Sequence, residues 1–70
     1  MKRGDFLKYG LKLKLARIEK GYTQKQLAEK MGVKTITIQN YERCCREPKI
    51  DTMKKLAKIL EKPVEKLFFD

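Results

Sequence analysis

The chain has 70 residues, 41% hydrophobic and 39% charged, with a formal net charge of +9. That is one domain's worth of chain, too apolar for a disordered tail and too short to bury more than about 60% of its unfolded surface. The charge is uneven, since residues 1–35 carry ten basic and three acidic residues and residues 36–70 carry eight and six. Such an excess attracts polyanions, although basicity alone fits ribosomal, membrane-surface and nucleic-acid proteins equally.

The pattern predicts five helices and no sheet. Asp5 is read as the N-cap of a first helix running to Lys20, stopped by Gly21 at a left-handed C′ position. Thr23 caps a second helix, Gln24 to Met31, and Gln26 three residues on completes a capping box. Gly32 ends it. A third helix covers Thr35 to Arg43. Its Thr35-Ile36-Thr37-Ile38 start alternates like a strand, but the two-residue link before it and the apolar pair Ile38 and Tyr41 favour a helix formed mainly by packing. A loop follows through Cys44-Cys45-Arg46-Glu47-Pro48, where Pro48 forbids continuation. Asp51 is read as the cap of a fourth helix to Leu60, and Pro63 as the first turn of a fifth through Leu67.

Within this order, residues 24–43 have the composition of two helices crossing steeply over a short turn. Ala28 is small enough for close crossing, Gly32 permits positive φ, and Val33 returns to the core. Ile38 and Tyr41 then fix the third helix against Leu27 and Met31. With these residues stand Tyr9-Gly10, Leu13, Gly21-Tyr22-Thr23-Gln24, Leu27-Ala28-Glu29, Glu42-Arg43, Leu56-Ala57, Leu60 and Leu67-Phe68. Together they resemble the Cro/C1-type (lambda-repressor-like, XRE) helix-turn-helix family over Phe6 to Phe68. The resemblance implies an all-α, compact five-helix domain, taken as 5–69, whose third helix enters the DNA major groove. It also implies a partly buried ion pair between Arg17 and Glu42, and a phosphate contact for Gln24 at the start of the second helix, where backbone amides reinforce it.

Stepping 100° per residue from a buried Ile38 sends Ile36, Gln39, Asn40 and Arg43 to the opposite side. Lys34 and Thr35 stand at the helix start. Gln39 and Asn40 donate and accept together, which suits adenine edges, while Ile36 and the Thr35 methyl suit a thymine methyl. Arg43 and Arg46, at and past the helix end, are better placed for phosphate. Each has a plainer reading as a solvated side chain or, for the arginines, as a complement to a helix C-terminus.

Two features depart from the family. Glycine is usual where Cys44 and Glu61 stand, and a non-glycine residue at positive φ costs about 1 kcal/mol, so the Cys44 loop is expected to differ locally. Cys44 and Cys45 are adjacent, which rules out an ordinary structural bridge between them, and no histidine accompanies them toward a zinc site. Inert reduced thiols are the expectation, ahead of a redox switch of DNA affinity. In the first helix, Leu7, Leu11, Leu15 and Ile18 form a second apolar stripe opposite the core face of Tyr9, Leu13 and Ala16, a candidate partner surface. Val64, Phe68 and Phe69 compete as a dimer surface, because the family often places its fifth helix near the two-fold axis.

The reading is a small sequence-specific regulator of transcription, a repressor, bound as a homodimer to a palindromic operator. The runner-up is an antitoxin or protein-binding adaptor working through the aliphatic stripe. A basic membrane-surface peptide fits less well, because the alternating leucines spread to two helix faces. Neither a signal peptide nor an apolar run of membrane-spanning length is read, so a cytoplasmic location is expected. Nothing combines a nucleophile with a base, and no enzyme activity, cofactor, metal or small-molecule ligand is expected.

Overall fold

The computed structural model describes the backbone of residues 3–69 and the side chains of residues 9–68. It contains α1 (Arg3–Lys20), α2 (Gln24–Met31), α3 (Thr35–Glu42), α4 (Ile50–Leu60) and α5 (Glu65–Phe69), the last a single π-helical turn. No strand occurs among the described residues. Five helices converge on one core. Leu13, Leu27, Ile38, Leu56, Leu60 and Leu67 are its fully buried side chains, so every helix supplies at least one. Each such burial is worth about 1.5–3 kcal/mol, which is how a segment as weakly helical as Thr35-Ile36-Thr37-Ile38 is held in α3.

The helix ends follow local chemistry. Thr23 accepts from the Gln26 amide at 3.0 Å while the Gln26 side chain accepts from the Thr23 amide at 2.9 Å, the reciprocal box expected there. Gly21 and Gly32 take φ of 84° and 73°, ending α1 and α2 as predicted. Other boundaries differ from expectation. The described part of α1 begins at Arg3, which puts Asp5 inside its first turn instead of at its cap. The cap of α4 is Lys49, with no side-chain hydrogen bond, and Asp51 again lies in the first turn. The cause is the same in both: a carboxylate is favoured by the helix dipole at the cap and just inside it, so its presence does not separate the two positions. Arg43 caps the end of α3 instead of closing its last turn, and Pro63 stands just outside α5, with its carbonyl accepting from the Lys66 and Leu67 amides.

Cys44 and Glu61 both adopt positive φ, 60° and 56°, where glycine is the unstrained residue. The exposed Glu61 is tied to Lys20, and Lys62 to Glu19 at 2.7 Å, so two ion pairs bind the end of α1 to the end of α4. The Lys62 ammonium beside it lowers the Glu19 carboxyl below the usual carboxylate range. Cys44→Gly is expected to raise stability by about 1 kcal/mol by relieving the left-handed strain, read as a shift of the urea midpoint with an unchanged slope.

Candidate nucleic-acid interface

The interface is built outward from one buried ion pair. The Arg17 guanidinium on α1 donates from Nε to Glu42 Oε2 at 2.6 Å and from Nη2 to Glu42 Oε1 at 3.2 Å. Its Nη1 donates to the Tyr22 carbonyl at 2.8 Å. Only 10% of the Arg17 side chain and 4% of that of Glu42 reach solvent, so this pair joins α1 to α3 inside the fold. The ion pair implied by the resemblance is therefore present.

From Glu42 the network runs to the surface. Gln24 Nε2 donates to Glu42 Oε1 at 3.1 Å, and Gln39 Nε2 donates to Gln24 Oε1 at 3.3 Å. An ionised carboxylate only accepts, so it turns the Gln24 amide nitrogen inward and the Gln24 oxygen toward Gln39. Gln39 must then present its own nitrogen to Gln24. One N–H and the carbonyl oxygen of Gln39 remain, a donor and an acceptor side by side in a defined orientation. The sequence reading named both glutamines but missed the bond between them, which only the crossing of α2 over α3 creates.

The other predicted contacts surround this pair. Lys34 is the exposed cap residue of α3, and Thr35 and Ile36 follow in its first turn, Ile36 50% exposed. That turn holds no acidic residue and its cap makes no side-chain hydrogen bond, so α3 begins with open backbone amides. Asn40 is half-buried, and its carbonyl accepts from the Cys45 amide at 2.9 Å. Arg43 and Arg46 are exposed at the far end of α3 and in the loop beyond. Ile38 and Tyr41 are buried, as the helical phase requires.

The loop carrying Arg46 is held from below by α1. The Tyr9 hydroxyl donates to the Arg46 carbonyl at 2.9 Å, and the Tyr9 ring lies 5.8 Å from that of Phe68, tilted by 46°. Burial, with smaller contributions from Cys44, Glu47 and other neighbours, pushes the Tyr9 phenol up to about 12. A group whose folded value lies above its unfolded value stabilises the fold fully below the unfolded value, about 10. That contribution is lost as pH rises from about 10 through about 12. Tyr9→Phe is therefore expected to flatten the alkaline fall in stability; a fall of unchanged steepness would count against this account. Neither this tyrosine bond nor the closeness of Gly10 to α3 was read from the sequence, although a glycine in mid-helix is a signal of close backbone approach. Cys44 is half-buried beside Gly10 and Cys45 is exposed, and neither is in a disulfide.

The candidate partner surfaces separate. Leu11, Leu15 and Ile18 are 57%, 56% and 53% exposed. Val64 and Phe68 are half-buried and pack against the protein's own core. The side chains of Leu7 and Phe69, also named for these surfaces, lie outside the described residues. Among the described residues no cluster of His, Cys, Asp or Glu suits a metal ion, and no helix is long and apolar enough to cross a membrane.

Five helices around a short second-to-third helix turn, with α3 presenting polar side chains outward, define a helix-turn-helix protein. A helix-turn-helix family profile matches residues 13–67, and the chain belongs to that family in its Cro/C1-type form. It is 46% identical over 50 residues to the HTH-type transcriptional regulator ImmR of Bacillus subtilis (strain 168), a match covering 71% of this chain and 39% of that relative's length. Its fold is similar to the crystal structure of the restriction-modification controller protein C.AhdI from Aeromonas hydrophila. That similarity has a TM-score of 0.84 at 31% identity and covers 93% of this chain and 98% of the other.

Proposed function

We propose that the chain is a transcriptional regulator that binds double-stranded DNA sequence-specifically, with α3 in the major groove and no catalytic activity. The observation that carries this is the oriented Gln39 side chain, whose remaining donor and acceptor match the N7 acceptor and N6–H donor of adenine. Asn40 has the same chemistry, and Ile36 and Thr35 suit a thymine methyl. Lys34, Arg43 and Arg46 contact phosphates, as does the N-terminus of α2 with Gln24. The net charge of +9 adds a sequence-independent, salt-sensitive attraction. A regulator built this way acts in the cytoplasm as a homodimer, and its palindromic operator has half-sites about one helical turn apart.

The test is selection of bound sequences from random duplexes, repeated at two salt concentrations. The expected result is a palindromic consensus. Against it, Gln39→Ala weakens binding about tenfold and relaxes the preference at one base pair, since a bidentate base contact is worth about 1–3 kcal/mol. Arg46→Ala weakens all sequences alike and reduces the salt slope by about one. Weak binding without a consensus would sink the proposal.

A further inference from the structure

The DNA-binding reading sets Arg46 against a phosphate, and the loop that carries Arg46 falls between two helices. The backbone bonds that close α3 finish with the Cys45 amide, 2.9 Å from the Asn40 carbonyl. Those of α4 start at the Lys49 carbonyl, which accepts from the Met53 amide at 2.9 Å. Arg46 stands between them, exposed, with the buried Pro48 two residues on. The Tyr9 hydroxyl reaches into this gap from α1 and donates to the Arg46 carbonyl at 2.9 Å. Tyr9 itself is only 6% exposed, and its ring rests against that of Phe68, with centroids 5.8 Å apart. A packed aromatic ring has few torsions left to turn, so its hydroxyl holds a set position relative to the core.

We propose that Tyr9 is a positioning residue for DNA binding, whose hydroxyl holds the Arg46 backbone so that the guanidinium meets a phosphate while α3 lies in the groove. Tyr9 is too buried to touch DNA, so its effect on affinity passes through the loop it holds. The bond fixes the peptide plane that follows Arg46, and with it the direction in which the side chain leaves the backbone. An arginine whose backbone is already fixed loses less freedom on binding, whereas an unpinned loop must be ordered at the moment of contact. A phosphate contact reads no base, so the contribution is the same for every sequence. This inference rests on the phosphate contact proposed for Arg46 and is independent of the base contacts proposed for Gln39 and Asn40.

The test is a cycle on the full chain, with Tyr9→Phe, Arg46→Ala and the double variant read by DNA affinity and by urea denaturation side by side. Phenylalanine keeps the ring and its packing and removes only the hydroxyl. Affinity is measured by fluorescence anisotropy at several salt concentrations, where every variant is folded. The probes are the duplex obtained by selection and one of arbitrary sequence and equal length. Tyr9→Phe is expected to weaken both duplexes by the same factor, about threefold to tenfold, the range of one net hydrogen bond, and to lower the salt slope. In the Arg46→Ala background Tyr9→Phe is expected to leave affinity unchanged while reducing stability as much as before. That pairing separates positioning from a general loosening of the fold, which would lower affinity in both backgrounds. Equal losses of affinity in the two backgrounds would overturn the proposal, as would a loss confined to the selected duplex. If Arg46→Ala weakens both duplexes and Tyr9→Phe neither, the phosphate contact stands and the positioning role falls. If Arg46→Ala changes nothing, both fall together.

Discussion

Arg17→Ala is expected to destabilise the protein by about 3–5 kcal/mol, because it leaves the Glu42 carboxylate buried without its cation. A chain of this size has about 4–10 kcal/mol of total stability, so much of the population would unfold at physiological temperature. The geometry makes the effect large. Glu42 is almost sealed from water, it is held by two guanidinium nitrogens, and the single bond from Gln24 cannot compensate for their loss. Tyr22 would lose a donor as well, loosening the turn before α2. Arg17→Ala, Glu42→Ala and the double variant form a cycle measured by urea denaturation. The double variant is expected to be less destabilised than the sum of the single ones, since neither charge is then stranded. Additive effects would show that the two residues act separately. Any surviving fold of Arg17→Ala is also expected to read DNA poorly, because the chain of orientation from Glu42 through Gln24 to Gln39 starts at that guanidinium.

The parts of this protein that sequence reasoning reached are those determined by neighbours in the chain. The capping box at Thr23 and Gln26, the glycine stops at 21 and 32, and the buried phase of Ile38 and Tyr41 each follow from a few adjacent residues. The starts of α1 and α4 were misjudged because Asp5 and Asp51 are equally at home at a cap and in a first turn. Of the interface, the candidate residues were legible but their arrangement was not. A helical wheel shows that Gln39 turns outward, yet its orientation depends on Gln24, fifteen residues away on another helix. The Arg17–Glu42 pair was reached through the resemblance alone, since nothing in the spacing of an arginine and a glutamate 25 residues apart brings them together. The Tyr9–Arg46 bond, spanning 37 residues, had no local signal at all.

Gly10→Ala is the second large effect, and its sign opposes simple propensity. Gly10 lies inside α1, where alanine would ordinarily gain about 1 kcal/mol. A Cβ there would stand 2.4 Å from the Glu42 carbonyl oxygen, 2.6 Å from Cys44 Sγ and 3.0 Å from the Glu42 carbonyl carbon. The sulfur can rotate away, but the carbonyl belongs to the end of α3 and moves only if the helix moves. Overpacking costs about 1–3 kcal/mol, and a clash with unyielding backbone falls in the upper part of that range, about 2–3 kcal/mol, which outweighs the propensity gain and leaves the variant less stable. A net loss of about 1–2 kcal/mol corresponds to a fall in Tm of roughly 4–16 °C for a domain of this size. Combining it with Cys44→Gly separates the two contacts. If the thiol were the obstacle, the double variant would recover more than the strain relief of Cys44→Gly alone. The expected result is simple additivity, because the clash that decides the outcome is with the backbone of α3. The same displacement would move Arg43 and Arg46, the residues proposed to contact phosphate, so Gly10→Ala is expected to weaken binding to all duplexes before it alters which sequence is preferred. An unchanged Tm together with unchanged DNA affinity would mean that α1 and α3 are not held at the separation Gly10 permits.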